Sequence, residues 1–141
     1  MGHALGNLGA AYLSLREYRR AIEYQEQHVK IAREIGDRVG EGNALTNLGS
    51  AYGGLGDHRR AIEYYGQQLQ IAREIGDRFG EASSLFNSAV DLNELGDRAE
   101  AIARSEAALK ILEAIESPYA STVRNILAKW REEDKASGKI G

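Results

Sequence analysis

The chain has 141 residues, of which 43% are hydrophobic and 28% charged, and its formal net charge is −3. A chain of this length forms one domain with a substantial core, and its slightly acidic balance gives no electrostatic basis for binding nucleic acid or an anionic membrane. The lack of cysteine excludes disulfides and thiol catalysis, and no apolar run approaches the ~20 residues of a membrane-spanning helix.

An internal repeat organises most of the chain. Residues 4–43 and 44–83 align without a gap and are identical at 25 of 40 positions. A third, more divergent copy occupies residues 84–117. One amphipathic segment, residues 118–134, follows it, and we expect the tail 135–141 to be disordered. A repeat of this length predicts stacked supersecondary units, each burying its apolar face against the next.

Apolar residues recur within each copy at helical spacing, in two stripes separated by a turn. In the second copy Leu45 and Leu48 mark the first stripe, and Ile62 and Leu69 mark the second. A glycine between the stripes can take the left-handed conformation that ends a helix, and the aspartate after it can cap the next one. These signals predict helices near residues 4–15, 18–35, 38–55, 58–75, 78–95 and 98–115.

Two turns depart from this pattern. The first copy has Arg16 and Glu17 where the others have glycine and aspartate, so we expect a less sharply specified turn there. Each lost signal costs on the order of 1 kcal/mol. After the third copy, Ser117 suits an N-cap and Pro118 the first position of a helix. An amphipathic helix carrying Trp130 is then predicted to cover the last repeat.

Two motifs, Asn-Leu-Gly-x-Ala-Tyr in the first helix and Arg-Ala-Ile-Glu-Tyr in the second, resemble the tetratricopeptide repeat signature. They begin at Asn7 and Arg20 in the first copy and at Asn47 and Arg60 in the second, whereas the third departs from them, with Ser88 in place of leucine. The long period of the repeat resembles the variant found in kinesin light chain, in Pins-type polarity adaptors and in repeat tails of bacterial STAND-type NTPases. The resemblance implies a right-handed α-solenoid of three helix pairs plus a C-terminal capping helix.

Glycine and alanine mark the predicted contact between the two helices of each repeat. We expect Gly9 and Gly49 to lie where the helices cross, because a residue without a side chain lets the backbones approach closely. Ala21, Ala61 and Ala101 are predicted on the facing side of that contact. These positions need no functional explanation.

Asparagine recurs at one position in all three copies, as Asn7, Asn47 and Asn87. It is a poor helix former, disfavoured by roughly half a kcal/mol, but its amide offers donors and acceptors that suit a peptide backbone. The resemblance implies that this position faces a concave groove that holds an extended ligand. The alternative is that each asparagine hydrogen-bonds a neighbouring helix and holds the repeats together.

Further groove residues are expected one helical turn from these asparagines. Those expected to bind the ligand are Asn43, Ser50, Ser83 and Glu94, and the same strip also holds Ala10, Ser14, Gly54 and Val90. The strip is small, polar and short of charge. The first helices of the first two copies carry no lysine, so a clamp for the terminal carboxylate of a ligand is not expected.

No constellation in the sequence indicates catalysis. His3, His28 and His58 occupy no common repeat position and have no partner one helical turn away, so neither a metal site nor a cofactor is expected. There is no Ser/His/Asp arrangement and no phosphate-binding loop after a strand. We therefore expect a chain that is not an enzyme.

The expected function is non-covalent docking of a protein or peptide segment, in the cytoplasm and without cofactors. Two alternatives remain open. The repeats can serve to self-associate, or they can form a regulatory tail of a larger STAND-type NTPase. Because nothing in this sequence covers the outer side of the first repeat, we also expect a weak homo-oligomer through residues 4–35.

Overall fold

The structure is a computed structural model and describes the backbone of residues 2–137 and the side chains of residues 4–137. Within that range the chain forms seven α-helices and no strand. The helices are α1 (Gly2–Ser14), α2 (Tyr18–Ile35), α3 (Arg38–Gly54), α4 (His58–Ile75), α5 (Arg78–Glu94), α6 (Arg98–Ala114) and α7 (Ala120–Ala136). Each packs chiefly against its neighbours in sequence, and α1 also contacts α3. The predicted all-α solenoid, three helix pairs followed by a capping helix, is confirmed.

The junctions between repeats form through the glycine and aspartate that mark them in the sequence. Gly36 and Gly76 end α2 and α4 in the left-handed conformation, with φ of 75° and 73°. The carboxylate of Asp37 then accepts a hydrogen bond of 2.9 Å from the backbone N–H of Gly40, and that of Asp77 accepts one of 2.9 Å from Gly80. Each junction therefore places a carboxylate at the N-terminus of the next first helix.

The turn between α1 and α2 forms without these signals. Arg16 takes the left-handed conformation that glycine takes in the other copies, with φ of 61°. Glu17 precedes α2 but makes no side-chain hydrogen bond to the helix N-terminus. The turn is thus as regular as its counterparts, and its residues carry the strain and the missing cap.

The last helix differs from its predicted bounds at both ends. Pro118 is predicted at the first helical position, but α7 begins at Ala120. The residues before it form a tight turn, in which the N–H of Ala120 donates to the carbonyl of Ser117 at 3.1 Å. The hydroxyl of Ser117 accepts from the N–H of Tyr119 at 3.2 Å, so the serine caps this turn and not the helix. The helix continues to Ala136, past the predicted end at 134, and residues 138–141 of the predicted tail lie outside the described residues.

The glycines predicted at helix crossings do lie there, but side chains fill the space beside them. A Cβ on Gly49 would lie 2.7 Å from the ring of Tyr65, and one on Gly9 would lie 2.6 Å from Nε2 of Gln25. Ala61 is fully buried. The crossing therefore depends on a glycine against a large side chain, and not on the close approach of two backbones.

The two ends of the solenoid are covered differently. At the C-terminal end, Val123, Leu127 and Trp130 of α7 are buried, and the indole stacks on Phe86 with ring centroids 6.5 Å apart. Leu8 of α1, in contrast, is 41% exposed, while Leu48, at the same position of the second repeat, is 1% exposed. Within the described residues, no helix covers the outer face of α1 as α2 covers α3.

Candidate functional site

A cleft of about 520 Å³ is lined chiefly by residues of α1, α3 and α5. These are the first helices of the three repeats, so equivalent residues of successive repeats line it in steps. The first helices contribute polar side chains to its walls, namely Asn7, Asn43, Thr46, Asn47 and Ser83. The second helices contribute His28 from α2 and Gln68 from α4.

The asparagine side chains in this cleft retain their hydrogen-bonding groups. Asn7 and Asn43 are exposed and Asn47 is half-buried. In the part of the chain that the structure describes, no hydrogen bond joins the amide of Asn47 to another helix. The hydroxyl of the adjacent Thr46, by contrast, donates to the carbonyl of Gly42 at 3.0 Å. The amides are thus available to a ligand, while the threonine is satisfied within its own helix.

The structure brings only some of the expected groove residues together. Asn7, Asn43, Asn47 and Ser83 share the cleft, whereas Ser50, Asn87 and Glu94 do not line it.

Ser50 has a structural contact instead. Its hydroxyl is paired with the hydroxyl of Tyr65 at 3.0 Å, between α3 and α4. Burial raises the pKa of Tyr65 to about 12, an increase that the hydrogen bond to Ser50 partly opposes. Tyr65 therefore stays a neutral phenol near pH 7, and its pair with Ser50 belongs to the helix contact.

Sequence reasoning missed Gln68, which lies beneath the asparagines. Its side chain is 7% exposed and lines the cleft, and its Oε1 has no hydrogen-bond partner among the described side chains and backbone. A Cβ on Gly42 would collide with that oxygen, so the amide lies directly against the backbone of α3. Two residues could have indicated this contact. They are Gly42 in the interior of α3 and Gln68 itself, whose counterpart in the third copy is Ala108.

Sequence reasoning also missed the charge of this cleft. Asp37 and Asp77 lie before α3 and α5 and were assigned only as helix caps, so they were not counted among the groove residues. Both carboxylates line the cleft, and the lining contains no lysine or arginine. The arginines that follow them turn away, since Arg38 donates to Glu41 at 2.9 Å and Arg78 to Glu81 at 3.0 Å. The cleft is therefore acidic and not merely polar.

The buried carboxylate of Glu41 binds two of the arginines that lie near the cleft. Burial alone would raise the pKa of Glu41, but hydrogen bonds from Arg33 at 2.8 Å and Arg38 at 2.9 Å outweigh it and lower that pKa. Arg38 also pairs with Glu74 of α4. These contacts hold α3 against its neighbours and keep the arginines out of the cleft.

Other kinds of site find no support in the described part of the chain. The side chains of residues 4–137 include no group of three that could hold a metal ion. Within the same residues, no helix is both long and apolar enough to cross a membrane.

The sequence matches the tetratricopeptide repeat family over residues 1–74 and again over residues 41–114. No curated protein matches the sequence.

Three solved structures share the fold. A Rap protein complexed with competence and sporulation factor superposes with a TM-score of 0.86 at 16% identity, covering 98% of this chain and 39% of the other. The repeats of a kinesin light chain from Podosopora anserina give 0.77 at 20% identity, covering 96% and 66%. A STAND protein with a tetratricopeptide repeat sensor, from Pyrococcus horikoshii, gives 0.69 at 25% identity, covering 89% and 19%. This chain thus spans less than two thirds of each of these proteins.

Proposed function

The chain belongs to the tetratricopeptide repeat family, and from this we propose that it is a protein-binding module whose cleft holds an extended peptide segment. One observation carries the proposal. The amide of Asn47 lies half-buried in a cleft between three first helices, without a hydrogen bond to another helix of the described chain. A peptide backbone offers the acceptors and donors that this amide lacks.

The spacing of the helices supports an extended ligand. Packed helices lie ~8–10 Å apart, and an extended chain advances ~3.3 Å per residue. Asn7 and Asn47, which are one repeat apart, would therefore meet backbone groups about three ligand residues apart. The alternative, that the asparagines join neighbouring helices, has no support from the hydrogen bonds of Asn47 within the described residues.

Two relatives favour binding and regulation as roles of this fold. The Rap protein was solved with competence and sporulation factor, and the Pyrococcus horikoshii protein uses its repeats as a sensor. For this chain we infer a docking function without cofactor or covalent chemistry. A place as the regulatory part of a larger STAND-type protein is compatible with such docking.

Self-association is a second candidate, favoured by the outer face of α1. Leu8 on α1 and Leu15 just after it are 41% and 67% exposed, although Leu48 shows that the position of Leu8 is buried when a helix covers it. An apolar surface of this kind marks a site of association.

The docking function is tested by selecting ligands from a library of random displayed peptides on the purified chain. Affinities of the selected peptides are then measured by fluorescence anisotropy for the wild type, Asn47→Ala and the control Asn125→Ala, which alters an exposed asparagine of α7. We expect Asn47→Ala to weaken binding by more than about 1 kcal/mol and to leave the melting temperature nearly unchanged. If Asn47→Ala costs stability and leaves binding intact, the asparagine holds helices together and the proposal is wrong.

A further inference from the structure

We propose that this cleft selects a basic peptide, an extended segment with a lysine or arginine at two positions about three residues apart. One cation faces Asp37 and the other faces Asp77. The inference rests on the proposed function, because it names the ligand class of the same cleft.

The charge of the lining carries the first step. Asp37 and Asp77 are the charged carboxylates of the cleft, and no lysine or arginine lines it. Among the described side chains, 4–137, neither carboxylate forms an ion pair, because Arg38 and Arg78 are held by Glu41 and Glu81. Each aspartate uses one oxygen to cap its helix, and a carboxylate can accept further hydrogen bonds. A cationic side chain is the partner that such a group favours.

Gln68 gives an independent indication that a ligand belongs here. Its buried Oε1 has no hydrogen-bond partner in the described residues, and leaving such a group unpaired is costly. The side chain lies at the floor of the cleft, held close to α3 because Gly42 has no Cβ. Rotation of the amide toward the cleft would expose this oxygen, and an N–H donor of a bound peptide would then satisfy it.

The repeat sets the spacing of the two cations. Asp37 and Asp77 are one repeat apart in sequence and occupy equivalent positions at the starts of α3 and α5. One helix spacing of ~8–10 Å corresponds to about three residues of an extended chain. Val39 and Phe79, which follow these aspartates on α3 and α5, are largely exposed on the same lining and offer apolar contact to the stem of a lysine or arginine.

The displayed library provides the test, since random peptides impose no charge in advance. We expect selected peptides to be enriched in lysine or arginine at two positions with the spacing given above. Enrichment of acidic residues, or no enrichment of basic ones, overturns the inference. Peptides that depend on Asn47 but lack basic residues leave the docking function standing, whereas failure to select any Asn47-dependent peptide overturns both.

Paired variants locate the recognition. Asn caps a helix about as well as Asp, so the double variant Asp37→Asn/Asp77→Asn removes charge and keeps the caps. The matched control is Asp57→Asn/Asp97→Asn, which changes the caps of α4 and α6 outside this cleft. We expect a selected peptide to bind the first variant about tenfold more weakly and the control within about twofold of wild type. Equal affinities for the two variants would place the basic recognition elsewhere and overturn the inference.

Discussion

Single residues of the cleft differ in whether their polar groups are already satisfied. Asn47 and Ser50 lie one helical turn apart on α3, yet the serine pairs with Tyr65 and the asparagine pairs with no other helix in the described residues. The repeated asparagine could be identified from the sequence because it recurs once in every repeat. The partner of Ser50 could not be identified from the sequence, because the hydrogen bond to Tyr65 depends on how closely α4 packs against Gly49. Asp37 was recognised as a helix cap, and its second role as part of a cleft emerges only when α3 lies beside α1.

Replacing Gly42 by alanine separates stability from binding. Alanine in the interior of a helix is favoured over glycine by about 1 kcal/mol, and the colliding atom is the terminal oxygen of the Gln68 side chain and not backbone. We therefore expect Gly42→Ala to keep or raise the free energy of unfolding, and to weaken binding of a selected peptide severalfold by displacing the amide of Gln68. Gly66→Ala is the control, because a Cβ there meets nothing within 4 Å. Urea unfolding and fluorescence anisotropy measure the two effects, and equal affinities for the two variants would exclude a role for Gln68.

Helices and turns are the scale at which the sequence was most informative. The bounds of α2 and α4 match the predicted ranges. Glu17 and Asp57 directly precede these helices, and Gly36 and Gly76 end them. The start of α7 was misplaced, since Ser117 and Pro118 fit a helix start and a tight turn equally well. Local preferences decide between these two only together with the packing of Tyr119 against Phe86, whose ring centroids are 6.1 Å apart.

The turn between α1 and α2 offers a gain in stability. Arg16 holds a left-handed conformation that costs roughly 1–2 kcal/mol for a residue with a side chain, and Glu17 provides no cap. We expect Arg16→Gly/Glu17→Asp, which copies the turn at Gly56 and Asp57, to raise the free energy of unfolding by about 2 kcal/mol. Urea denaturation followed by circular dichroism gives the value. The reciprocal change, Gly56→Arg/Asp57→Glu, should lower it, and no gain in the first variant would contradict the cost assigned to Arg16 and to the missing cap.

The contact between α4 and α5 should make stability depend on pH. Nδ1 of His58 lies 2.6 Å from the carboxylate of Asp91. Burial raises the pKa of Asp91, with a small contribution from Glu94, and His58 opposes the rise. An acid with a raised pKa in the folded state stabilises that state most below its unfolded pKa of about 4, and this contribution is lost as pH rises through the folded value.

The variant Asp91→Asn has no such titration. We therefore expect the variant to gain stability relative to wild type as pH rises from about 3.5 to 7, because the wild type loses the contribution of Asp91 over this range. Urea unfolding at several pH values in this window provides the comparison. A difference that stays constant, or changes in the opposite direction, would show that Asp91 is not perturbed by burial.

At the scale of the whole molecule, the repeat determined the number and order of the helices, while the cleft needed three repeats in place. Its walls come from the asparagine-bearing helices that the repeat identified. Its floor comes from Gln68 on a second helix, and its charge from Asp37 and Asp77 at the junctions. These groups converge through the angles between helices, which no single repeat specifies.

The uncovered face of α1 should produce weak association at high concentration. Leu8 belongs to an apolar stripe that is buried by a neighbouring helix in the second repeat, and Leu15 extends the exposed surface. Burying ~300 Å² of such surface contributes several kcal/mol at ~25 cal/mol/Å², before the entropy of association is subtracted. We expect the mass measured by light scattering to rise across a hundredfold range of concentration, and the substitution Leu8→Gln to suppress the rise. A strictly monomeric mass throughout would contradict this second candidate function.

The central claim is that a peptide lies in the cleft formed by α1, α3 and α5. The most direct test is nuclear magnetic resonance of the ¹⁵N-labelled chain during titration with a selected peptide, observing the side-chain amides. We expect large shifts for Asn43, Asn47 and Gln68, which line the cleft, and none for Gln27 or Asn125, which are exposed elsewhere. Shifts confined to Gln27, Asn125 or the outer face of α1, with the cleft amides unmoved, would contradict the account.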